Sequence, residues 1–132
     1  MKKLIDEAIK ARKKTYSPYS NFGVGAAVLM KDGSIIHGAN IENSSYGLSN
    51  CGERSALFSA YSQGYKKEDI VAIAVVGKTE APISPCGACR QVMNELMPKD
   101  ANVYLANLNG DTKTLTVSDL LPYSFDSFTK DE

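Results

Sequence analysis

Residues 51–64 read C-G-E-R-S-A-L-F-S-A-Y-S-Q-G, residues 70–76 read I-V-A-I-A-V-V, and residues 85–98 read P-C-G-A-C-R-Q-V-M-N-E-L-M-P. In the first stretch Ala56, Leu57, Ala60 and Tyr61 recur at helical spacing, and Gly64 suits a helix C-terminus. The second is a continuous β-rich run, the mark of a strand buried on both faces. The third is a helix over 87–97, stopped by Pro98. A helix, a doubly buried strand and a second helix in this order predict an α/β fold with helices packed on a central sheet.

Working outward, residues 2–15 place Leu4, Ile5, Ala8, Ile9 and Arg12 on a helical period. The Pro- and Ser-rich segment 16–21 reads as a loop. Val24–Met30 and 34–38 are apolar runs separated by Lys31-Asp32-Gly33, a hairpin signal. Residues 41–50 are polar and read as a loop, as do residues 79–85. Val103–Ala106 and 113–117 are strands around an Asn109-Gly110-Asp111 turn, and Ser118 is the expected cap of a short helix before Pro122. The predicted order, α-β-β-α-β-α-β-β with a short final helix, implies a three-layer α/β/α sandwich around a five-stranded mixed sheet. Residues 1–132 are expected to form a single domain, large enough to bury roughly two thirds of its unfolded surface without disulfides.

The chain carries 15 basic and 15 acidic residues, and this balance argues against a nucleic-acid-binding surface. Lys10, Arg12, Lys13 and Lys14 read as the solvated face of a helix. No apolar run approaches the roughly 20 residues of a membrane span. The start, Met1-Lys2-Lys3 followed by Asp6 and Glu7, does not resemble a signal peptide. With an odd number of cysteines, this predicts a reducing, cytoplasmic setting.

The three cysteines, Cys51, Cys86 and Cys89, form one pattern. Cys86 and Cys89, three apart, can face one way from the first turn of a helix, while Cys51 begins the other helix. Helix N-termini favour the thiolate, and zinc takes thiolates in tetrahedral geometry. A closed structural site wants four ligands. Here three leave a position open for water. Glu53, two residues after Cys51, is placed to act as a proton shuttle. Three thiolates overcompensate the charge of a divalent ion, so Arg54 has an electrostatic reason to donate to a sulfur. His37, alone of its type, lies on the second predicted strand and is assigned no function.

Four motifs, Y-S-P-Y-S-N-F-G-V-G-A-A, N-I-E-N-S-S-Y-G, N-C-G-E-R-S-A and S-P-C-G-A-C-R-Q, together resemble the cytidine deaminases, specifically their small, homotetrameric, three-cysteine branch, over nearly the full chain. The resemblance implies one Zn²⁺ per subunit on Cys51, Cys86 and Cys89, with Glu53 catalytic. It implies substrate contacts from Phe22 on the pyrimidine ring, from Asn40 and Glu42 on the ribose hydroxyls, from the backbone of Gly52, and from the carbonyl of Pro85 on the 4-amino group. Gly52 stands where the family commonly has Ala, and the backbone contact should tolerate it. Phe125 resembles the aromatic that reaches into a neighbouring subunit's site. Tyr46 is as compatible with an interface as with a substrate contact.

The expected reaction is hydrolytic deamination of cytidine and 2'-deoxycytidine to uridine and 2'-deoxyuridine with release of ammonia, as in pyrimidine salvage. A deaminase of another small aminopyrimidine, such as blasticidin S, or of a nucleotide or nucleic acid, is the same-fold alternative; the Asn40–Glu42 pair argues for a ribose diol instead, and the balanced charge argues against nucleic acid. A non-catalytic zinc or redox protein is the alternative from another class, and the placement of Glu53 argues against it. The expected partners are a nucleoside and further copies of the chain in a homotetramer with sites at subunit interfaces, with no nucleic acid and no membrane.

Overall fold

A computed structural model describes residues 1–126 of the chain. Four helices, α1 (Lys2–Arg12), α2 (Gly52–Ser62), α3 (Gly87–Leu96) and α4 (Val117–Leu120), surround five strands, β1 (Val24–Met30), β2 (Ile35–Ala39), β3 (Ile70–Gly77), β4 (Asn102–Asn107) and β5 (Thr112–Thr116). The sheet order is β2-β1-β3-β4-β5. Only β3 and β4 run parallel, and the other neighbours are antiparallel. The mixed five-stranded sheet and its helical layers match the expected α/β/α architecture.

Side-chain alternation along β3 explains the layers. Ala72, Ala74 and Val76 join Leu4, Ile5 and Ala8 of α1 in one buried cluster. Ile73 and Val75 point the other way, into a larger cluster with Leu57 and Ala60 of α2, Met93 of α3 and Met97 just past its end. The α1 face is lined with alanine and the α2/α3 face with larger side chains. Both faces of β3 are therefore dry from Ala72 onward, as the apolar run predicts, while Val71 near its start is exposed.

Close approach of α2 to the sheet sets the height of the site. A Cβ on Gly38 of β2 would lie 2.3 Å from the Ala56 amide nitrogen and 2.4 Å from the Gly52 carbonyl oxygen. Only glycine lets the first turns of α2 lie flush on β2. Gly64, just past α2, has φ +99°, the left-handed end that the sequence predicts.

Several boundaries differ from the sequence expectation. Helix α1 stops at Arg12, not at residue 15, because Tyr16 is drawn away: its amide bonds the Asn40 carbonyl and its own carbonyl takes the Glu42 amide. The segment 41–50 contains a single 3-10 turn at Tyr46–Leu48. The cap of α4 is Thr116, not Ser118. The Thr116 hydroxyl accepts from the Asp119 amide at 3.2 Å while Asp119 accepts from the Thr116 amide at 3.0 Å. The last residue of β5 thus serves as the helix cap, a coincidence of strand end and helix start that propensity alone does not reveal.

Candidate active site

Cys51 is the extended residue immediately before α2, and Cys86 holds the same place before α3. Cys89 lies one turn into α3 and is fully buried. These two helix starts meet at one edge of the sheet and bring the three sulfurs within 4.8 Å of one another, with Cys86 and Cys89 Sγ atoms 3.4 Å apart. A tetrahedral zinc with Zn–S near 2.3 Å separates its sulfurs by about 3.8 Å. The donor set, all thiol and all free of disulfides, therefore fits a zinc ion.

Arg54 sits beside this cluster. Its Nη2 donates to Cys51 Sγ at 3.1 Å. Hydrogen bonding from Cys89, and then the Arg54 guanidinium, holds the Cys51 thiol down at about 5, against the opposing effect of burial. The Cys89 thiol is pushed up, first by its hydrogen bond to Cys51 and then by burial. Cys51 is thus the sulfur arranged to carry negative charge, with a guanidinium aimed at it as the charge argument predicts.

Glu53 is 4% exposed. Burial pushes its carboxyl above the ordinary carboxylate range, and the nearby Cys51 charge adds to the shift. A buried acid with a raised pKa suits a group that gives and takes protons near neutrality.

Above the sulfurs opens a cavity of about 370 Å³. Cys51, Glu53 and Cys86 line it, with Phe22, Val24 and Ile83 as its apolar wall. Ser20, Asn40, Glu42, Thr79 and Ser84 supply its polar groups. Small-molecule sites have this size and this mix of apolar wall and few polar groups.

The structure brings Phe22, Asn40 and Glu42 to the cavity and gives each further partners. Asn40 Oδ1 accepts from the Val24 amide at 2.7 Å and its Nδ2 donates to the Phe22 carbonyl at 3.1 Å. Glu42 Oε1 accepts from the Tyr19 and Ser20 amides at 3.0 and 3.1 Å, and Oε2 accepts from the Ser20 hydroxyl. The Pro85 carbonyl accepts from Arg90 Nε at 2.9 Å, leaving one lone pair for another donor. Gly52 is buried, and a Cβ there would lie 2.7 Å from the Val24 carbonyl oxygen. In this chain an alanine at Gly52 forces β1 to shift, so glycine is more than a tolerated replacement.

Phe125 is not among the residues lining this cavity. Its carbonyl accepts from Gln91 and Asn94 of α3, at 3.0 and 3.4 Å, and its exposed ring lies outside the core. Tyr46 is likewise exposed and away from the cavity. His37 is half-buried and bonds Glu7 of α1 at 2.8 Å, a structural pair.

Sequence reasoning missed Ser20, Thr79, Ile83, Ser84 and Arg90. Arg90 ties the loop before Cys86 to the end of α4, reaching Pro85, Ser84 and, at 3.2 Å, the Leu120 carbonyl. Only the motif residues Ser20, Ser84 and Arg90 carried a signal, by standing inside Y-S-P-Y-S-N and S-P-C-G-A-C-R-Q.

A sulfur cluster fitted to zinc, a buried acid and a nucleoside-sized cavity on an α/β sheet edge define a metal-dependent hydrolytic enzyme. Residues 1–105 match the cytidine and deoxycytidylate deaminase zinc-binding region, and the chain belongs to that family. It is 66% identical over 122 residues to a cytidine deaminase of Halalkalibacterium halodurans, covering 92% of this chain and 91% of the relative. It is 35% identical over 109 residues to a blasticidin-S deaminase of Bacillus cereus, covering 77% of this chain and 76% of the relative. A crystal structure of cytidine deaminase from Burkholderia pseudomallei superposes with a TM-score of 0.92 at 55% identity, covering 94% of this chain and 98% of that one.

Proposed function

We propose that this protein catalyses hydrolytic deamination of cytidine and 2'-deoxycytidine, giving uridine and 2'-deoxyuridine with release of ammonia. The observation that carries the reading is the buried Glu53 beside three clustered sulfurs on the lining of one cavity.

Cys51, Cys86 and Cys89 would hold one zinc ion per chain. When bound, the metal supplies a Lewis acid that makes water nucleophilic near neutral pH. The chain's own residues do the rest. Phe22 stacks on the pyrimidine and, with Val24 and Ile83, keeps the base dry. Asn40 and Glu42 receive the ribose hydroxyls, and the Gly52 backbone contacts the base. Water adds at C4. The Glu53 carboxylate takes a proton from that water and places it on ring N3; it then takes the second proton, from the new C4 hydroxyl, and delivers it to the 4-amino nitrogen as the C4–N bond breaks, C4=O forms and ammonia leaves. The free lone pair of the Pro85 carbonyl accepts from that amino group and orients it. Arg54, donating to Cys51 Sγ, offsets the excess thiolate charge and so preserves the acidity that the reaction needs.

We further propose assembly as a homotetramer with shared sites, in a reducing cytoplasm that keeps the three thiols unpaired. Support comes from Tyr46, Leu48, Tyr123 and Phe125, large apolar side chains exposed at and beyond the site. Fully burying an exposed Leu or Phe side chain gains about 1.5–3 kcal/mol, of which the half-exposed Phe125 gains part. Phe125 then reaches a neighbouring subunit's cavity.

The test is the loss of cytidine absorbance on adding purified protein, with parallel reactions on cytosine and blasticidin S. Turnover of cytidine, with little or none of the other two, supports the reading. Preference for blasticidin S overturns the substrate assignment, and inertness toward all three overturns the reaction class.

A further inference from the structure

Of the two residues proposed to hold the sugar, Asn40 bonds the backbone of Phe22, the residue proposed to stack on the base, directly, and Glu42 is joined to it through one side chain. Glu42 accepts from the Ser20 hydroxyl, and the same Ser20 Oγ accepts from the Phe22 amide at 3.0 Å. Ser20 also gives its amide to Glu42 at 3.1 Å, beside the Tyr19 amide at 3.0 Å. On the opposite side of the same residue, the Phe22 carbonyl accepts from Asn40 Nδ2 at 3.1 Å. The backbone of Phe22 is therefore gripped at its N–H through Ser20 and Glu42, and at its C=O by Asn40.

The loop between Ser17 and Phe22 turns at Asn21, whose φ of +56° is a left-handed conformation that asparagine, unlike most non-glycine residues, adopts readily. The Asn21 amide closes the turn onto the Ser17 carbonyl at 2.9 Å. Beyond that bond, the loop's polar anchors converge on Glu42. Hydrogen bonding from Ser20, side chain first, holds the Glu42 carboxyl below its ordinary range despite the opposing effect of desolvation. The group is thereby kept as an ionised acceptor. Ser20 itself lines the cavity, so its hydroxyl lies where a nucleoside would lie.

We infer that Ser20 is a positioning residue that couples sugar recognition to base stacking: its hydroxyl orients the Glu42 carboxylate toward the ribose hydroxyls and holds the Phe22 ring over the pyrimidine. The inference rests on the proposed nucleoside deaminase activity. A sugar with a 2'- or 3'-hydroxyl engages the one remaining lone pair of Glu42, on Oε2, and the tightened carboxylate fixes Ser20 and, through it, Phe22. A sugar without either leaves Glu42 to hold the loop alone. The ring is then placed no better than in the free protein.

The experiment is steady-state kinetics of wild type and Ser20→Ala on cytidine and on 2',3'-dideoxycytidine, with zinc content and melting temperature measured alongside. A hydrogen bond to a charged group governs affinity by tenfold or more. Ser20→Ala is therefore expected to raise KM for cytidine about tenfold and KM for the dideoxy substrate no more than about threefold, with kcat changed less than about threefold and zinc retained. Should alanine lower the melting temperature, Ser20→Cys preserves the volume with a much weaker donor, and the same unequal loss is expected. Equal losses on the two substrates, in whichever variant folds, would overturn the coupling, as would an unchanged KM for cytidine. Absence of cytidine turnover by the wild-type protein would overturn the deaminase reading itself and this inference with it.

Discussion

The floor and the rim of the cavity are built on different principles. The floor consists of two helix starts, Cys51 to Arg54 and Cys86 to Cys89, seated on a sheet whose central strand is dry on both faces. The rim consists of loops 16–22 and 40–50, tied to each other by side-chain hydrogen bonds, and the segment 121–126, which lines no part of the cavity, is held beyond it to α3; all three carry exposed aromatic residues. The floor is fixed by packing that tolerates no added atom, as Gly38 and Gly52 show. The rim is fixed by polar contacts that a substrate or a neighbouring chain can join. On the proposed function, chemistry sits on the rigid part and recognition on the adaptable part.

If the division holds, changes on the floor strike turnover and changes on the rim strike affinity. The largest effect is expected from Glu53→Gln, which keeps the fold and the zinc but cannot move protons. kcat should fall by at least about 10²–10⁴-fold, measured by cytidine absorbance with zinc content in parallel. A loss within tenfold would remove Glu53 from the proton path. Next comes Arg54→Ala. Without the guanidinium on Cys51 Sγ the thiolate charge is unbalanced, the metal site becomes less acidic, and activity should appear at higher pH by roughly one unit or more. An unchanged pH–rate profile would reject the charge-balancing role.

Gly52→Ala tests the rigidity of the floor. Its Cβ would sit 2.7 Å from the Val24 carbonyl, and overpacking of this kind costs about 1–3 kcal/mol. A melting temperature lower by several degrees is expected. Full stability would show that β1 yields at no cost. The smallest effect is expected in the segment beyond the rim. Phe125→Ala should raise KM severalfold while moving the melting temperature by no more than about two degrees. The reverse pattern would make Phe125 a packing residue and not a partner of a neighbouring site.

The same division explains what the sequence made legible. The floor could be read because its chemistry is local: Cys51 and Glu53 are two apart, Cys86 and Cys89 three apart, and a helix start gives each spacing a direction. The doubly buried strand could be read because composition alone carries it. The rim was only half legible. Phe22, Asn40 and Glu42 were found through their motifs. That Asn40 spends its amide on the backbone of Phe22 and Val24, and that Ser20 bridges Glu42 to Phe22, depends on chain segments about 20 residues apart meeting in space. Arg90 escaped for the same reason, since its partners Pro85 and Leu120 lie on opposite sides of it in sequence. Thr116 was passed over as a cap because it also ends a strand.

The central claim is that three thiol sulfurs within 4.8 Å of one another form a catalytic zinc site. Elemental analysis of purified protein, paired with its cytidine turnover before and after chelation, tests it most directly. The account predicts about one zinc per chain, loss of turnover and a marked fall in melting temperature on chelation, since thiolate–zinc binding supplies on the order of 10 kcal/mol, and recovery on adding zinc back. Fully active protein holding less than half an equivalent of zinc would contradict it.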